Sequence, residues 1–296
     1  MNRRVRSRQE RYRHRRRSGC LMRLLVFLLL LILLAYPFAE PFMLETESVS
    51  LSSADLPQDI GQLRLVYLTD IHAGPFFSQS RVDDLISSVN RLNADLVLLG
   101  GDYANDSDGA IDFFKSLPRI NSRYGVYAVL GNHDRTVPEG NLSLLKAAMV
   151  SAGVTPLIND VEGVRIGSST IYLAGIDDIE NGWPDLTSVS SQVKQEDYVI
   201  FLSHNPGIIP DAHKATDASG RHMWFDLGLF GHTHGGQIAF VGDLLNISNV
   251  ESRYLKGWLV ENRTNLLISR GVGTSTLPIR LGNRPQIHLI TVKSSK

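Results

Sequence analysis

Five short segments of this chain place metal-ligand side chains directly after a run of apolar residues. In chain order they are residues 65–72, 96–102, 126–134, 199–204 and 227–234. A short apolar run that ends in Gly, Asp or His is typical of a buried strand with its polar residues at the carboxyl end. Because ligands of open α/β sheets bind outside those ends, we expect these side chains to meet at one edge.

The donors in these segments are carboxylate and amide oxygens and imidazole nitrogens. Cys20 is the only cysteine, so the chain has neither an internal disulfide framework nor a multi-thiolate metal site. Such donors favour Mn, Fe or Zn over soft metals, and Mn is our first choice. Two divalent ions about 3.5–4 Å apart can clamp a phosphate and activate water for an in-line displacement. The pattern therefore predicts two divalent metal ions and phosphate chemistry.

The order of these motifs resembles that of the calcineurin-like metallophosphoesterase superfamily. Its D-x-H, G-D, G-N-H-[DE], lone His and G-H-x-H motifs all occur here in the same order, between Asp70 and His234. The resemblance covers roughly residues 61–296. The longer form G-H-T-H-G-G-Q at 231–237 is similar to a branch that contains many membrane-anchored or exported bacterial phosphoesterases.

Matching the motifs residue by residue gives the ligand set that the resemblance implies. The first ion would be held by Asp70, His72 and His234, the second by Asn132, His204 and His232, and both by a bridging Asp102. His133 is expected to be the general acid, because in the family this His faces the phosphate and because His titrates near neutral pH. The implied reaction is hydrolysis of a phosphodiester or pyrophosphate bond by metal-bound hydroxide.

Strand and helix patterns alternate early in the chain, and strands dominate late, which predicts an α/β layered domain. Apolar residues at helical spacing predict helices over 80–92, 110–117 and 142–152. Further strands are expected at 170–175, 265–269 and 287–292. The resemblance sharpens this prediction to a four-layer α-β-β-α sandwich of two facing mixed sheets.

An apolar segment precedes this domain. Residues 20–38 are apolar except for Arg23 and predict one transmembrane helix, since spans run from about 17 to 25 residues. We therefore divide the chain into a basic cytoplasmic tail (1–19, expected to be disordered), the anchor (20–38), a linker (39–60) and the metallophosphoesterase domain (61–296). A cleaved signal peptide is the alternative, but Pro37 makes a poor cleavage site.

The formal net charge of zero hides an uneven distribution of charge along the chain. Residues 1–23 carry ten Arg and one Glu, whereas the remainder holds 20 basic and 29 acidic residues. The arginines predict a cytoplasmic N-terminus with the catalytic domain on the opposite face of the cell membrane, and they would also attract anionic lipids. A mildly acidic domain argues against nucleic acid as a partner.

Other residues near the motifs are weaker candidates, and the default is a packing role for the aromatic residues and a loop role for the carboxylates. The aromatic residues that could form an apolar wall near the metals are Phe76, Phe77, Trp183 and Trp224. The arginines that could clamp a phosphate are Arg253, Arg270 and Arg280. The carboxylates that could select substrate are Asp177 and Asp178.

Two classes of function fit these observations. The first is a membrane-anchored phosphoesterase that acts on a phosphodiester or pyrophosphate, and the anchor favours a lipid-linked substrate such as UDP-2,3-diacylglucosamine. The second is a non-catalytic metal-binding or scaffold protein that keeps the fold. The intact ligand motifs and His133 favour the enzyme.

Overall fold

The computed structural model describes residues 3–136, 139–239 and 250–295 and consists of two facing six-stranded sheets covered by helices. In the first sheet the strand order is β1-β12-β2-β3-β4-β5, and in the second it is β10-β11-β9-β8-β7-β6. In the first sheet the strands are β1 (Glu45–Ser53), β2 (Gln62–Leu68), β3 (Leu96–Leu99), β4 (Val126–Ala128), β5 (Val154–Pro156) and β12 (Gln286–Ser294). In the second they are β6 (Asp160–Ile166), β7 (Ser169–Gly175), β8 (Val199–Leu202), β9 (Leu227–Phe230), β10 (Gly257–Glu261) and β11 (Thr264–Ile268).

Six α-helices accompany the sheets in the described part of the chain. They are α1 (Arg3–Ala39), α2 (Gln79–Arg91), α3 (Ser107–Ser116), α4 (Glu139–Ser151), α5 (Leu186–Ser190) and α6 (Ile209–Lys214). The three helices and three strands that apolar spacing predicted inside the domain are all present within a few residues. The amphipathic pattern of α2 buries Val82, Leu85, Ile86 and Val89.

Residues alternate between two cores because successive side chains of a strand point to opposite faces. In β3, Val97 and Leu99 face the core beneath α2, α3 and α4, whereas Leu96 and Leu98 face the core between the two sheets. On the outer face of the second sheet, a third core packs against α5 and α6. The predicted four-layer α-β-β-α sandwich of two mixed sheets is confirmed.

The strands that carry the metal-ligand motifs run parallel to one another. β2, β3 and β4 are parallel neighbours in the first sheet, and β8 and β9 are parallel neighbours in the second. Their carboxyl ends therefore reach the same edge of the sandwich, where loops from both sheets meet.

The structure corrects two predictions about the N-terminal region. Residues 39–60 are not a linker throughout, because Glu45–Ser53 forms β1 and pairs in parallel with β12. The backbone of the tail is helical rather than disordered from Arg3 onward, as part of α1, whereas residues 1–2 lie outside the described residues.

The anchor prediction agrees with the helix. Leu21–Phe42 is long and apolar enough to cross a membrane: its 22 residues would span about 33 Å as α-helix, and a hydrocarbon core is about 30 Å thick. The apolar side chains from Leu21 to Leu34 are exposed rather than packed on the domain.

Replacement of Leu98 by Ala should destabilise the domain strongly. The Leu98 side chain is fully buried between the sheets, so its truncation leaves a cavity and should lower the free energy of unfolding by about 2–5 kcal/mol. Urea denaturation of the full chain in detergent measures this change. Leu144→Ala is the matched control, because Leu144 is 59% exposed and should change the same quantity by about 0.5 kcal/mol or less. Equal effects of the two substitutions would contradict the assignment of Leu98 to the inter-sheet core.

Candidate metal centre

The structure brings the seven residues of the predicted ligand set to the shared strand edge. Two of its distances define the centre of the cluster: Asp102 Oδ2 lies 3.5 Å from His72 Nε2 and 3.2 Å from His204 Nε2. Asp70 Oδ1 lies 3.5 Å from His234 Nε2. The donor atoms thus form one contiguous group with the Asp102 carboxylate in its middle.

Asn132 and His232 complete the cluster beside His204. His232 Nδ1 lies 3.2 Å from Asn132 Oδ1, and the two side chains are half-buried. The His204 and His232 rings meet edge to face with their centroids 5.3 Å apart. These three residues therefore share one side of the cluster.

The backbone at this edge is unusual. Five residues of the predicted ligand set have positive φ angles between 49° and 69°: Asp70, His72, Asp102, His232 and His234. Asp and His tolerate this region better than most non-glycine residues. The glycines of the motifs permit close approach, since a Cβ on Gly131 would collide with the Asp102 carboxylate. The Gly-Asp and Gly-Asn pairs in the sequence thus reflect two loops in backbone contact.

Hydrogen bonds select which nitrogen of two of the imidazoles, those of His204 and His72, faces the cluster. His204 Nδ1 donates to the Gly100 carbonyl at 2.8 Å, which leaves Nε2 toward the carboxylates. His72 Nδ1 lies 3.1 Å from Asn105 Oδ1 and donates to it, so His72 Nε2 is likewise free to bind a cation. A metal-binding His commonly has such a partner on its other nitrogen.

The buried carboxylates around His204 create an environment that favours a cation. His204 Nε2 is buried and has no hydrogen-bond partner among the residues that the structure describes, although it faces Asp102. Burial alone would lower the pKa of His204, but the carboxylates of Asp102 and Asp70 outweigh it and raise that pKa well above its ordinary value. Divalent metal ions can take the place of this proton, since oxygen and imidazole donors suit them.

His72 and His234 are suited to act as neutral ligands. Burial is the main cause that lowers the pKa of each, and the positive Arg280 nearby lowers that of His234 further. Their Nε2 atoms lie only 3.1 Å apart. The Arg280 guanidinium can only donate to His234 Nδ1, so a neutral His234 carries its proton on Nε2 and donates it to His72 Nε2. A cation bound by both Nε2 atoms would take the place of that proton.

His133 stands at the rim of the cluster. Its ring meets that of His72 edge to face with centroids 5.0 Å apart, and its Nδ1 donates to the Asn105 carbonyl at 3.0 Å. Nε2 is therefore the atom that can exchange a proton with a ligand. His133 also falls within a group of possible metal-binding side chains with His72 and Asp102.

Asp134 holds the loop rather than facing the cluster. Its carboxylate accepts hydrogen bonds from the backbone N–H groups of Gly131, Asp102 and Tyr103 at 2.8–3.0 Å. It thereby ties the loop after β3 to the loop after β4, which carry two of the predicted ligands.

Two residues of the centre were not found from the sequence. Asn105 contacts both His72 and His133, and Glu180 Oε1 lies 3.3 Å from His232 Nε2. Asn105 lies only three residues after Asp102, and that spacing was the one available signal. Glu180 comes from a loop after β7, where no strand-end motif marks it.

Asp177 and Asp178 shape the loop that carries Glu180. Asp177 accepts from the Trp183 N–H and pairs with Arg135 at 3.0 Å, while Asp178 accepts from the N–H groups of Glu180 and Asn181. Both carboxylates are nearly fully buried in these contacts. This is the loop role rather than the substrate-selecting role considered above.

The four aromatic residues do not form one wall, and two of them have the ordinary packing role that was the default. Phe77 and Trp224 are buried in two different cores, one beneath the first sheet's helices and one on the outer face of the second sheet. Phe76 and Trp183 are exposed. Short sequence distance to a ligand did not imply contact with the site.

The three arginines considered as phosphate clamps lie in different places and have different partners. Arg253 pairs with Glu251 and Glu261, and Arg270 pairs with Glu45. Arg280 alone reaches the cluster, 3.4 Å from His234 Nδ1, but its guanidinium is fully buried and donates to backbone carbonyls. None of them is a free guanidinium facing the centre.

Asn105→Ala should weaken metal binding. Loss of the acceptor for His72 Nδ1 frees the ring to turn, and such supporting contacts typically change metal affinity about 10–100-fold. Competition with a chromophoric chelator measures this affinity. Asn141→Ala is the control, because among the described residues the Asn141 side chain bonds to Asp108 at the surface and not to the metal centre. An unchanged affinity in Asn105→Ala would show that His72 needs no such support.

Comparisons with known proteins identify the family of this chain. The calcineurin-like phosphoesterase family matches residues 63–236. The chain is 28% identical to the uncharacterised metallophosphoesterase YkuE of Bacillus subtilis, over 87% of this chain and 88% of YkuE. It is 30% identical to the phosphodiesterase YaeI of Escherichia coli, over 77% of this chain and 81% of YaeI. It is 31% identical to a transmembrane protein with metallophosphoesterase domain of Danio rerio, over 81% of this chain and 55% of that protein. The chain belongs to the calcineurin-like phosphoesterase family and is a metal-dependent phosphoester hydrolase.

Proposed function

We propose that the chain is a membrane-anchored phosphodiesterase or pyrophosphatase with two divalent metal ions, of which Mn²⁺ is favoured. The observation that carries this proposal is the position of the Asp102 carboxylate between His72 Nε2 at 3.5 Å and His204 Nε2 at 3.2 Å. One carboxylate between two imidazole groups suits a ligand shared by two cations.

The geometry supports a division of the donors into two sets. On one side of Asp102 the Nε2 atoms of His72 and His234 lie 3.1 Å apart, and Asp70 Oδ1 contacts His234. On the other side lie His204, His232 and Asn132. We assign the first set to one ion and the second set to the other, with Asp102 bridging.

The ions, when bound, supply Lewis-acid activation of water and neutralise charge on the phosphate. The chain's own residues do the rest. Gly100 and Asn105 hold the His204 and His72 rings in the required tautomers, and His133, held by the Asn105 carbonyl, donates a proton from Nε2 to the leaving oxygen.

Removal of metal should abolish activity. Full-length protein stripped with chelator should not hydrolyse an aryl phosphodiester, and added Mn²⁺ should restore turnover. The reason is that the oxygen and imidazole side chains of the centre donate electron pairs and cannot themselves act as a Lewis acid. Initial rates with metal analysis measure this. Full activity in protein shown to be metal-free would refute the proposal.

Asp102→Ala then tests the two-ion assignment. Loss of a bridging carboxylate should lower the metal content from about two ions per chain to one or none. The measurement is elemental analysis after gel filtration, with Asp108→Ala as the control from the surface of α3. If Asp102→Ala still binds two ions per chain and has normal turnover, Asp102 is not a bridging ligand.

His133→Ala should keep its metals but lose about 10²–10⁴-fold in kcat, the usual size of a general acid contribution. The loss should shrink for esters of very acidic alcohols, because those leaving groups hardly need a proton. A comparison of nitrophenyl and alkyl leaving groups measures it. Losses of equal size across that series would argue that His133 is not the acid.

The anchor supports a substrate held in the membrane, such as the lipid-linked pyrophosphate UDP-2,3-diacylglucosamine. That sugar nucleotide is made on the cytoplasmic face, whereas the ten N-terminal arginines predict a domain on the opposite face. Reporter fusions to the C-terminus, one active only in the cytoplasm and one only outside, decide between the faces. We expect the outside reporter to be active, and activity of the cytoplasmic reporter would reverse the topology.

A further inference from the structure

An apolar cleft opens directly beside the metal centre. It has a volume of about 340 Å³, within the usual range for small-molecule sites. One wall is formed by His133, His232 and His234 of the centre. The residues that supply its apolar surface are Ile238, Leu255 and Leu277.

The shape of this cleft suits a substrate with two unlike parts. A phosphate beside His133 and His234 would place a substituent on phosphorus next to Leu277 and Ile238. Among the described lining residues, Asp102 is the only carboxylate and there is no Lys or Arg to pair with a second charged group. The substituent that fits such a wall is apolar.

The wall of the cleft is joined to the end of the anchor helix. The Arg280 N–H donates to the Pro37 carbonyl at 2.9 Å, and the Gly282 N–H donates to the buried Glu40 side chain at 3.0 Å. Leu277 lies three residues before Arg280, a separation of at most about 11 Å for extended chain. The cleft is therefore close to the point where the chain leaves the apolar helix.

Exposed apolar side chains surround this junction. Phe38, Phe42 and Phe76 are each more than half exposed, and so is Leu277 at 53%. Arg81 ties two of them together, since its guanidinium lies 4.4 Å from the Phe42 ring and donates to the Phe76 carbonyl. Exposed aromatic residues at the end of an apolar helix suit the membrane–water interface.

We propose that this cleft binds the alkyl or acyl chain of an amphiphilic phosphoester that enters from the membrane in which α1 lies. The inference rests on the proposed phosphodiesterase function and adds the residues that select the substrate. Ile238, Leu255 and Leu277 contact the chain while the phosphate lies at the metal centre. Each methylene that is buried there improves kcat/KM roughly fourfold.

The test compares two p-nitrophenyl phosphodiesters whose second ester group is methyl or octyl, so that the leaving group is the same. The protein is the full-length chain, loaded with Mn²⁺ in phosphatidylcholine nanodiscs. We expect kcat/KM to be about tenfold or more higher for the octyl ester. Leu277→Asn should reduce this ratio about fivefold or more, because it places an amide in the apolar wall.

Leu144→Asn is the matched control. Leu144 is 59% exposed on α4, against 53% for Leu277, but it does not line the cleft, so its octyl-to-methyl ratio should equal that of the unchanged protein. Since both variants experience the same partitioning of the octyl ester into lipid, a difference between them isolates the cleft. The cleft assignment is overturned if both esters are hydrolysed normally but the octyl-to-methyl ratio of kcat/KM is near one, or if that ratio is equal in the two variants. Either result would still be consistent with the proposed phosphodiesterase activity.

A binding measurement separates the two proposals. If neither ester is hydrolysed, the proposed function fails, and calorimetry with octylphosphonate and methylphosphonate decides the cleft, with protein-free nanodiscs as the blank. We expect tighter binding of octylphosphonate, lost in Leu277→Asn and kept in Leu144→Asn. Equal affinity for the two phosphonates overturns the cleft.

Discussion

The burial of negative charge between two sheets is the constraint on which this structure depends. Asp70 and Asp102 are 0% and 2% exposed, and an isolated buried carboxylate is costly unless it is paired. Three imidazoles contact these carboxylates, those of His72, His204 and His234, and divalent cations complete the compensation. That convergence requires loops from both sheets, which explains why the motifs come from five separate strands and not from one helix or hairpin.

The same convergence accounts for the strained backbone. Non-glycine residues in the left-handed region cost free energy and persist where the surroundings hold them. Here the loops hold one another: the Asp70 N–H donates to the Gly101 carbonyl, the His72 N–H donates to the Asp102 carbonyl, and the His232 N–H donates to the Asp70 carboxylate. Each ligand loop is thus a hydrogen-bond partner of another, so the donors are preorganised before any ion binds.

Much of this arrangement could be predicted because strand ends carry a local signature. Apolar runs followed by Gly, Asp or His mark both the strand and the position of its ligand. β1 was missed because Glu45–Ser53 alternates between half-buried and exposed residues and becomes a strand only through its pairing with β12. Asn105 and Glu180 act through contacts across loops, and the apolar cleft combines residues 238, 255 and 277, which no local pattern connects.

The position of β1 has a consequence for how the chain can be shortened. The family's sequence pattern begins at residue 63, which invites a soluble fragment that starts at the first motif strand. Such a fragment would lack β1 and leave the nine-residue β12 as a bare edge of the first sheet. Unpaired edge strands template sheet-to-sheet aggregation. Pairing with β1 covers that side of β12, so a soluble form that keeps this pairing begins before Glu45.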